Sequence, residues 1–264
     1  MNRHHIWYNT LVMKKYPALK LAPVVEAVFC VDFAGLPQLT QKGATLLMQA
    51  TDEKYVKKGD LVSRSLLFDM VSPGHEVKPE TTWNGVRFQN GDSDIVVLSN
   101  LEPQVVRFCY SRLKPYDSWN AFVSTGQRLL DGFVAVQKTD PIVKRIGIRY
   151  VNQIKVPLGK CKLSDILLCA PMDPVDVPDI ESREFFYRET SYYGQYGLNA
   201  TSIKSTQKTQ DGNPIVVVDF DVFDTPNTEM SRMDWPSILE RAHGLKNALF
   251  FGTVTEKAYS GALK

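Results

Sequence analysis

Residues that build catalytic and metal centres are scarce in this chain. Its 264 residues include 4 cysteines and 4 histidines, with no Cys-x-x-Cys pair and no HxH, HExxH or HxE spacing. Zinc sites and histidine general bases are therefore not indicated. The phosphate-binding P-loop, the dinucleotide motif GxGxxG and the serine-nucleophile motif GxSxG are missing too. We expect no cofactor, and the sequence assigns no catalytic residue.

The low cysteine count also bears on the redox environment. Four cysteines are too few for a disulfide scaffold at this length, because such scaffolds belong to small, cysteine-rich secreted domains. Cys30 and Cys109 lie in apolar, strand-like segments, so we expect two buried, reduced thiols. The first residues lack the long apolar core of a secretory signal. Both features predict a cytoplasmic protein.

Long hydrophobic runs and a large net charge are absent as well. No window approaches 18 consecutive apolar residues, so we expect no membrane-spanning helix and no membrane partner. Lys+Arg 31 against Asp+Glu 29 gives a formal net charge of +2, which leaves no global field to attract nucleic acid. What the composition does supply, 44% hydrophobic and 23% charged residues, is typical of a folded domain.

Alternating and helical hydrophobic patterns divide the chain into two halves of similar order. We predict an irregular leader over residues 1–22, an N-terminal half over 23–140 and a C-terminal half over 141–264, packed as one unit. Strands are expected at 23–33, 61–71, 83–90, 95–100, 104–113, 143–156, 185–193, 196–209 and 215–223. Helices are expected at 38–55, at 116–138, at 163–169 and from Trp235 onward. Because the strands come in hairpins, the predicted class is α+β, with two β-α-β(3-4)-α halves whose antiparallel sheets grip helices and whose common order suggests an internal duplication.

Two short motifs resemble those of a known family. The opening strand begins with Pro23-x-x-Glu26, and the central strand contains RYVN at Arg149–Asn152. Both resemble a sporadically distributed family of bacterial proteins of similar length, in which the opening strand carries Pro-x-x-Glu and the central strand carries Arg-Tyr-(Val or Ile)-Asn. The resemblance implies no activity and no catalytic residues. The patchy distribution of the family implies accessory genes, linked to defence or to mobile elements.

The central strand carries the first candidate binding residues. Arg145 and Arg149 share its polar face, and paired arginines suit the capture of phosphate or carboxylate groups. A salt-bridged sheet face, with Glu26 and Asp32 as partners, explains the same residues without a ligand. Asn152 falls on the apolar face, where a buried amide must be hydrogen-bonded. We therefore expect structural roles for Asn152 and Glu26.

A pair of carboxylates forms the second candidate. Asp219 and Asp221 lie on one face of the strand at 215–223. Adjacent carboxylates can hold Mg²⁺ or divide the roles of general acid and general base. No other motif supplies the further oxygen ligands that such a metal needs, so these two residues are weak metal candidates. An ordinary solvent-exposed face is the favoured interpretation.

Aromatic and basic residues cluster between positions 183 and 208. The candidate binding residues of this cluster are Arg183, Arg188, Tyr192, Tyr193, Tyr196, Lys204 and Lys208. Aromatic rings beside cations can stack and neutralise single-stranded nucleic acid. Tyrosine and arginine are also enriched at protein interfaces. A third interpretation is an ordinary core with a turn.

Three functions follow from these features. The favoured hypothesis is a non-enzymatic binding or adaptor protein of an accessory bacterial multi-component system, with a protein partner on a sheet face or edge. The alternative is a nucleic-acid or nucleotide binder with Arg145, Arg149, Lys204 and Lys208 along one groove. The second alternative is a metal-dependent phosphoesterase that uses Asp219 and Asp221.

Overall fold

The computed structural model describes residues 16–17, 19, 22–66, 79–137, 139–155, 163–169, 184–209 and 211–260. Within them the chain forms one large antiparallel sheet, and the three longer helices pack against it. This architecture confirms the predicted α+β class. No helix in these described residues is long and apolar enough to cross a membrane.

The described residues form ten strands and four α-helices. The strands are β1 (Val24–Ala34), β2 (Val56–Leu66), β3 (Pro79–Asn90), β4 (Asp94–Glu102), β5 (Val105–Leu113), β6 (Ile142–Lys155), β7 (Phe186–Tyr193), β8 (Leu198–Lys208), β9 (Pro214–Asp224) and β10 (Thr228–Glu229). The helices are α1 (Gln41–Thr51), α2 (Trp119–Ala135), α3 (Trp235–Phe251) and α4 (Glu256–Tyr259). Three-residue 3-10 helices lie at Leu163–Asp165 and Met230–Arg232.

A single sheet runs through both halves of the chain. Its strand order is β2-β3-β4-β5-β1-β6-β9-β8-β7, and β10 pairs with β6 beside this path. The opening strands of the two halves, β1 and β6, lie side by side at the centre and place Phe29 opposite Ile148. From this centre β5 continues the first half and β9 the second. The two ends of the described sheet are therefore β2 and β7.

Alternate residues of the central strands face the helices and form the main core. On β1 these residues are Ala27, Phe29, Val31 and Phe33, each at most 1% exposed. The period of two that sequence analysis assigned to this strand is the cause, because successive side chains point to opposite faces of a sheet. Helix α2 approaches this core closely at Gly126, where a Cβ would lie 2.8 Å from the Phe29 ring.

Side-chain caps fix the starts of the three longer helices. The side chains of Thr40, Ser118 and Asp234 accept hydrogen bonds from backbone N–H groups in the first turns of α1, α2 and α3. Such caps satisfy donors that have no partner inside the helix. Helix α1 begins at Gln41 rather than at residue 38 because Thr40 is its cap, so the predicted helix at 38–55 was too long.

Two other predicted elements differ from the structure. The predicted helix at 163–169 is only the 3-10 turn Leu163–Asp165, followed by a single β-bridge between Leu167 and Val254. The second strand already begins at Val56, although sequence analysis predicted it only from residue 61. In both places tertiary pairing overrides the local hydrophobic pattern.

The prediction of two reduced, separate thiols at Cys30 and Cys109 was wrong. The two residues lie directly opposite each other on β1 and β5, with their Cα atoms 4.2 Å apart, and they form a disulfide. Their separation of 79 residues in sequence hid this pairing, because register between distant strands is not visible in a local pattern. Cys169 is a free, exposed cysteine.

Candidate functional site

The sheet face opposite the helices, which we call the open face, carries three arginine–aspartate pairs. Arg107, Arg145 and Arg149 lie on β5 and β6, and each guanidinium bonds to one carboxylate. The partners are Asp32 for Arg107, Asp221 for Arg145 and Asp219 for Arg149. The residues that sequence analysis singled out on two separate strands, two arginines and two aspartates, therefore meet each other.

Arg149 and Asp219 form a bidentate ion pair. Arg149 Nε lies 2.9 Å from Asp219 Oδ1, and Arg149 Nη2 lies 2.6 Å from Asp219 Oδ2. The hydrogen bonds to Asp219 raise the pKa of Arg149, which holds the guanidinium in its charged form. The pairing is diagonal, since Val151 and not Arg149 stands directly opposite Asp219 in the register.

The other two pairs repeat this arrangement with local differences. Arg107 donates to Asp32 from Nε to Oδ1 at 2.6 Å and from Nη2 to Oδ2 at 2.8 Å. The two residues lie directly opposite each other on β5 and β1. Arg145 Nη2 lies 2.6 Å from Asp221 Oδ1, and its guanidinium carbon lies 4.3 Å from the centre of the Phe223 ring. Cation–π contact and ion pairing thus hold the same guanidinium.

These pairs change the electrostatics of the candidate arginines and aspartates. Three positive and three negative charges cancel, so these pairs leave no unbalanced positive stripe of the kind that phosphate backbones require. Asp219 and Asp221 each bond to a guanidinium, which a divalent cation would have to displace. No group of three or more metal-ligating side chains stands together in the part of the chain that the structure describes.

Asn152 lies buried on β6, as sequence analysis predicted. Asn152 is 2% exposed, and its Nδ2 donates to the carbonyl oxygen of Val218 at 3.0 Å. This bond links the side chain of β6 to the backbone of the neighbouring strand β9. Glu26 is half-buried on β1, and its charge contributes to the raised pKa of Arg149. Asn152 also lines the cavity beside α3 that is described below.

The predicted aromatic and basic cluster is concentrated on β7, the last strand of the described sheet. Phe186, Tyr187 and Tyr192 are 71%, 46% and 67% exposed, although each is a large apolar or amphipathic side chain. Arg188 is exposed between them and forms no ion pair with any described residue. Large exposed rings of this kind mark interaction surfaces more often than ordinary solvent faces.

The remaining members of the cluster have mixed positions. Tyr193 and Tyr196 pack against the main core and are only partly exposed, so they belong to the fold rather than to the surface. Lys204 places its Nζ 5.4 Å from the centre of the Tyr187 ring, and Lys208 lies 4.0 Å from Glu184. Arg183 lies outside the described residues.

Sequence analysis missed a cavity beside α3. A space of about 410 Å³ lies between α3, the start of α2 and the residues that precede β1. Lys246, His243 and Tyr116 are among its lining residues. Their side chains come from segments more than 100 residues apart, and no spacing motif signals them. The histidine had been set aside as one of four scattered residues, and no local pattern distinguished it.

Comparison with known proteins found no similar protein: no family model, no curated protein and no solved structure matches this chain. The resemblance of Pro23-x-x-Glu26 and Arg149–Asn152 to a bacterial family therefore stays a prediction. Function has to be argued from the geometry of the open face, the β7 edge and the cavity.

Proposed function

We propose that this chain is a non-enzymatic binding protein that takes up an extended segment of a partner protein along the outer edge of β7. The observation that carries the proposal is the exposure of Phe186, Tyr187 and Tyr192 on a strand that pairs with β8 alone among the described residues. Such an edge offers backbone hydrogen bonds, and the rings offer apolar contacts.

The hydrogen-bond pattern identifies which amides are available to a partner. Thr206 donates its backbone N–H to the Phe185 carbonyl, so odd-numbered residues of this segment bond to β8. The even-numbered residues then direct their N–H groups away from β8. These residues are Phe186, Arg188, Thr190 and Tyr192. An added strand would bond to these four positions.

The side chains of the same edge favour a partner of particular chemistry. Phe186 and Tyr192 are six residues apart on one face of β7, about 20 Å along a strand. Arg188 lies between them without a carboxylate partner in the described residues. A complementary segment therefore has apolar residues near its ends and an acidic residue at its middle. This favours an acidic and apolar peptide over a nucleic acid, which would need several unpaired cations.

Replacing Thr190 by proline tests strand addition directly. Proline removes one outward N–H and is tolerated on edge strands, while Thr190→Ala keeps the N–H and is the matched control. The full chain, tagged and isolated from its own host at low salt, is analysed by native mass spectrometry. We expect a protein partner at fixed stoichiometry with Thr190→Ala, and its loss with Thr190→Pro.

Two outcomes would contradict the proposal. A partner that survives both Thr190→Pro and the double change Phe186→Ser with Tyr192→Ser would bind elsewhere. Nucleic acid that co-purifies at low salt and dissociates at high salt would favour the nucleotide-binding alternative. Hydrogen exchange on the complex adds a second readout, because strand addition should protect the amide of Arg188 but leave the already bonded amide of Glu189 nearly unchanged.

The resemblance to a sporadic bacterial family supports placing the partner in an accessory multi-component system. The topology supports the proposed duplication as well: β1 with β5 and α2 in the first half corresponds to β6 with β9 and α3 in the second. Under this proposal β7 corresponds to β3. Since β3 is covered by β2 while β7 ends the sheet that the described residues form, the second half has in this part of the chain an edge that the first half has paired.

A further inference from the structure

The cavity beside α3 carries one ammonium group without an acidic partner. Lys246 Nζ donates to Asn247 Oδ1 at 2.6 Å and lies 4.2 Å from the centre of the Tyr150 ring. No carboxylate of the described residues forms an ion pair with it. The Lys246 ammonium is thus a partly buried cation whose described neighbours are an amide oxygen and an aromatic ring. Such a cation can gain a further contact with an anion.

The acidic groups near the cavity are already engaged. Asp117 lines the cavity, but it is 2.9 Å from Arg112 Nη1 and largely exposed. Glu240 accepts a hydrogen bond from the indole N–H of Trp119 at 2.8 Å. These contacts direct both carboxylates to other donors. The ammonium of Lys246 therefore remains the one unneutralised charge among the described groups of the cavity wall.

The other polar groups of the wall form a connected chain. Asn247 Nδ2 lies 3.2 Å from His243 Nε2, so the amide donates and the neutral imidazole accepts, which places the single N–H proton of the ring on Nδ1. The His243 ring stacks on Trp119 with ring centres 4.3 Å apart. Tyr116 and Tyr150 share a hydrogen bond of 2.8 Å between their hydroxyl groups. Flat rings thus line the space beside the ammonium.

We propose that this cavity binds a small aromatic monocarboxylate, whose carboxylate pairs with Lys246 and whose ring packs beside Trp119 and Phe251. The volume of about 410 Å³ lies in the range of small-molecule pockets, roughly 300–1,000 Å³. A single lysine without an arginine fork fits one negative charge better than a phosphate dianion. This site is separate from the β7 edge and does not depend on the function proposed for it.

Proton uptake gives the binding event a specific signature. Burial lowers the pKa of Lys246 to about 7, and a carboxylate beside it would raise that pKa again. Binding should therefore take up more of a proton at pH 8, where the free side chain has lost most of its proton, than at pH 6, where it still holds it. His243 does not contribute to this proton uptake, because burial and the Lys246 charge lower its pKa to about 3. Tyr116 does not contribute to the proton uptake either, since burial raises its pKa to about 12.

Calorimetry with benzoate, phenylacetate and 2-naphthoate, and with the neutral 2-naphthamide, tests the proposal on the full chain. We expect at least one carboxylate to bind and 2-naphthamide to bind at least about tenfold more weakly than 2-naphthoate, because a hydrogen bond to a charged group is lost. Titration in two buffers of different ionisation enthalpy measures the proton uptake. Lys246→Met should weaken binding about tenfold or more, and the matched control Lys257→Met, whose ammonium pairs with Asp165 on the surface, should not.

Each contrary result overturns the proposal in a separate way. If none of the three carboxylates binds, the cavity is not a carboxylate site. If 2-naphthamide binds as well as 2-naphthoate, or if proton uptake does not rise between pH 6 and pH 8, Lys246 does not hold the charge of the ligand. The comparisons on the unsubstituted protein remain decisive even if Lys246→Met changes stability.

Discussion

Replacing Arg149 by methionine should destabilise the fold, because the substitution leaves Asp219 buried and charged. The Asp219 side chain is 6% exposed, whereas that of Arg149 is 48% exposed. Two unit charges about 4 Å apart interact by about 4 kcal/mol at an effective dielectric constant of about 20. Because water reaches half of the arginine, we reduce the expected cost to about 1.5–3 kcal/mol. Methionine keeps most of the stem packing and removes only the guanidinium.

A double-mutant cycle separates the ion pair from the packing. Asp219→Asn removes the buried charge and leaves Arg149 hydrated, so it should cost about 1 kcal/mol. The double variant has no unpaired buried charge and should be about as stable as Asp219→Asn alone. The coupling free energy should then be about 1.5–3 kcal/mol in magnitude. Urea unfolding of the four proteins measures these values, provided that the transitions are two-state.

Arg188→Met is the matched control, because Arg188 is exposed and has no carboxylate partner in the described residues. Its unfolding free energy should change by less than about 0.5 kcal/mol. If Arg149→Met costs no more than Arg188→Met, or if the effects of Arg149→Met and Asp219→Asn simply add, the pair is not structural. Arg149 would then again be a candidate for ligand binding, as its position on an open sheet face first indicated.

Three further predictions concern other parts of the molecule. Gly147→Ala should cost about 1–3 kcal/mol or more in urea unfolding, because the added Cβ would lie 2.5 Å from a backbone oxygen of β9. Gly59→Ala, with no heavy atom within 4 Å, should change stability by under about 1 kcal/mol, and equal costs would refute the packing argument. Digestion without reductant should yield a peptide pair joined by Cys30 and Cys109, and alkylation of both thiols in the untreated protein would contradict this. The pKa of His243, lowered to about 3 by burial, lies below its unfolded value, so the unfolded chain binds the extra proton and stability falls from pH 7 to pH 5 by up to about 2 kcal/mol. His243→Gln should reduce that fall, and an unchanged slope would show that the imidazole titrates normally.

Local patterns were sufficient to predict most strands and their two faces. The alternation in β1 and β6 correctly separated the core positions Phe29 and Ile148 from the polar position Arg149. The proline-bearing start of α3 at Asp234 was also correct. These features depend on residues close in sequence, and their periods are those of the backbone itself.

The pairing of residues on distant strands could not be predicted from local sequence patterns. Arg149 was expected to pair with residues of β1, yet its partner Asp219 lies 70 positions away on β9. The disulfide between Cys30 and Cys109 escaped notice for the same reason. Lys246 is a further case, since an ordinary lysine in an amphipathic helix becomes unusual only once Tyr150 lies beneath it. Such positions are set by the register of the whole sheet.

The distribution of charge favours the β7 edge and the cavity over the open face as places where a ligand would bind. A ligand that covered the open face would have to remove water from Arg107, Arg145 and Arg149, whose charges are already satisfied by aspartates. Removing water from such pairs costs free energy, and no new ion pair forms in exchange. At the β7 edge and at Lys246, by contrast, the described residues leave N–H groups and an ammonium that a ligand can satisfy. Recognition should therefore take place where polar groups still lack partners, and the most conspicuous arginines of the sequence should serve the fold.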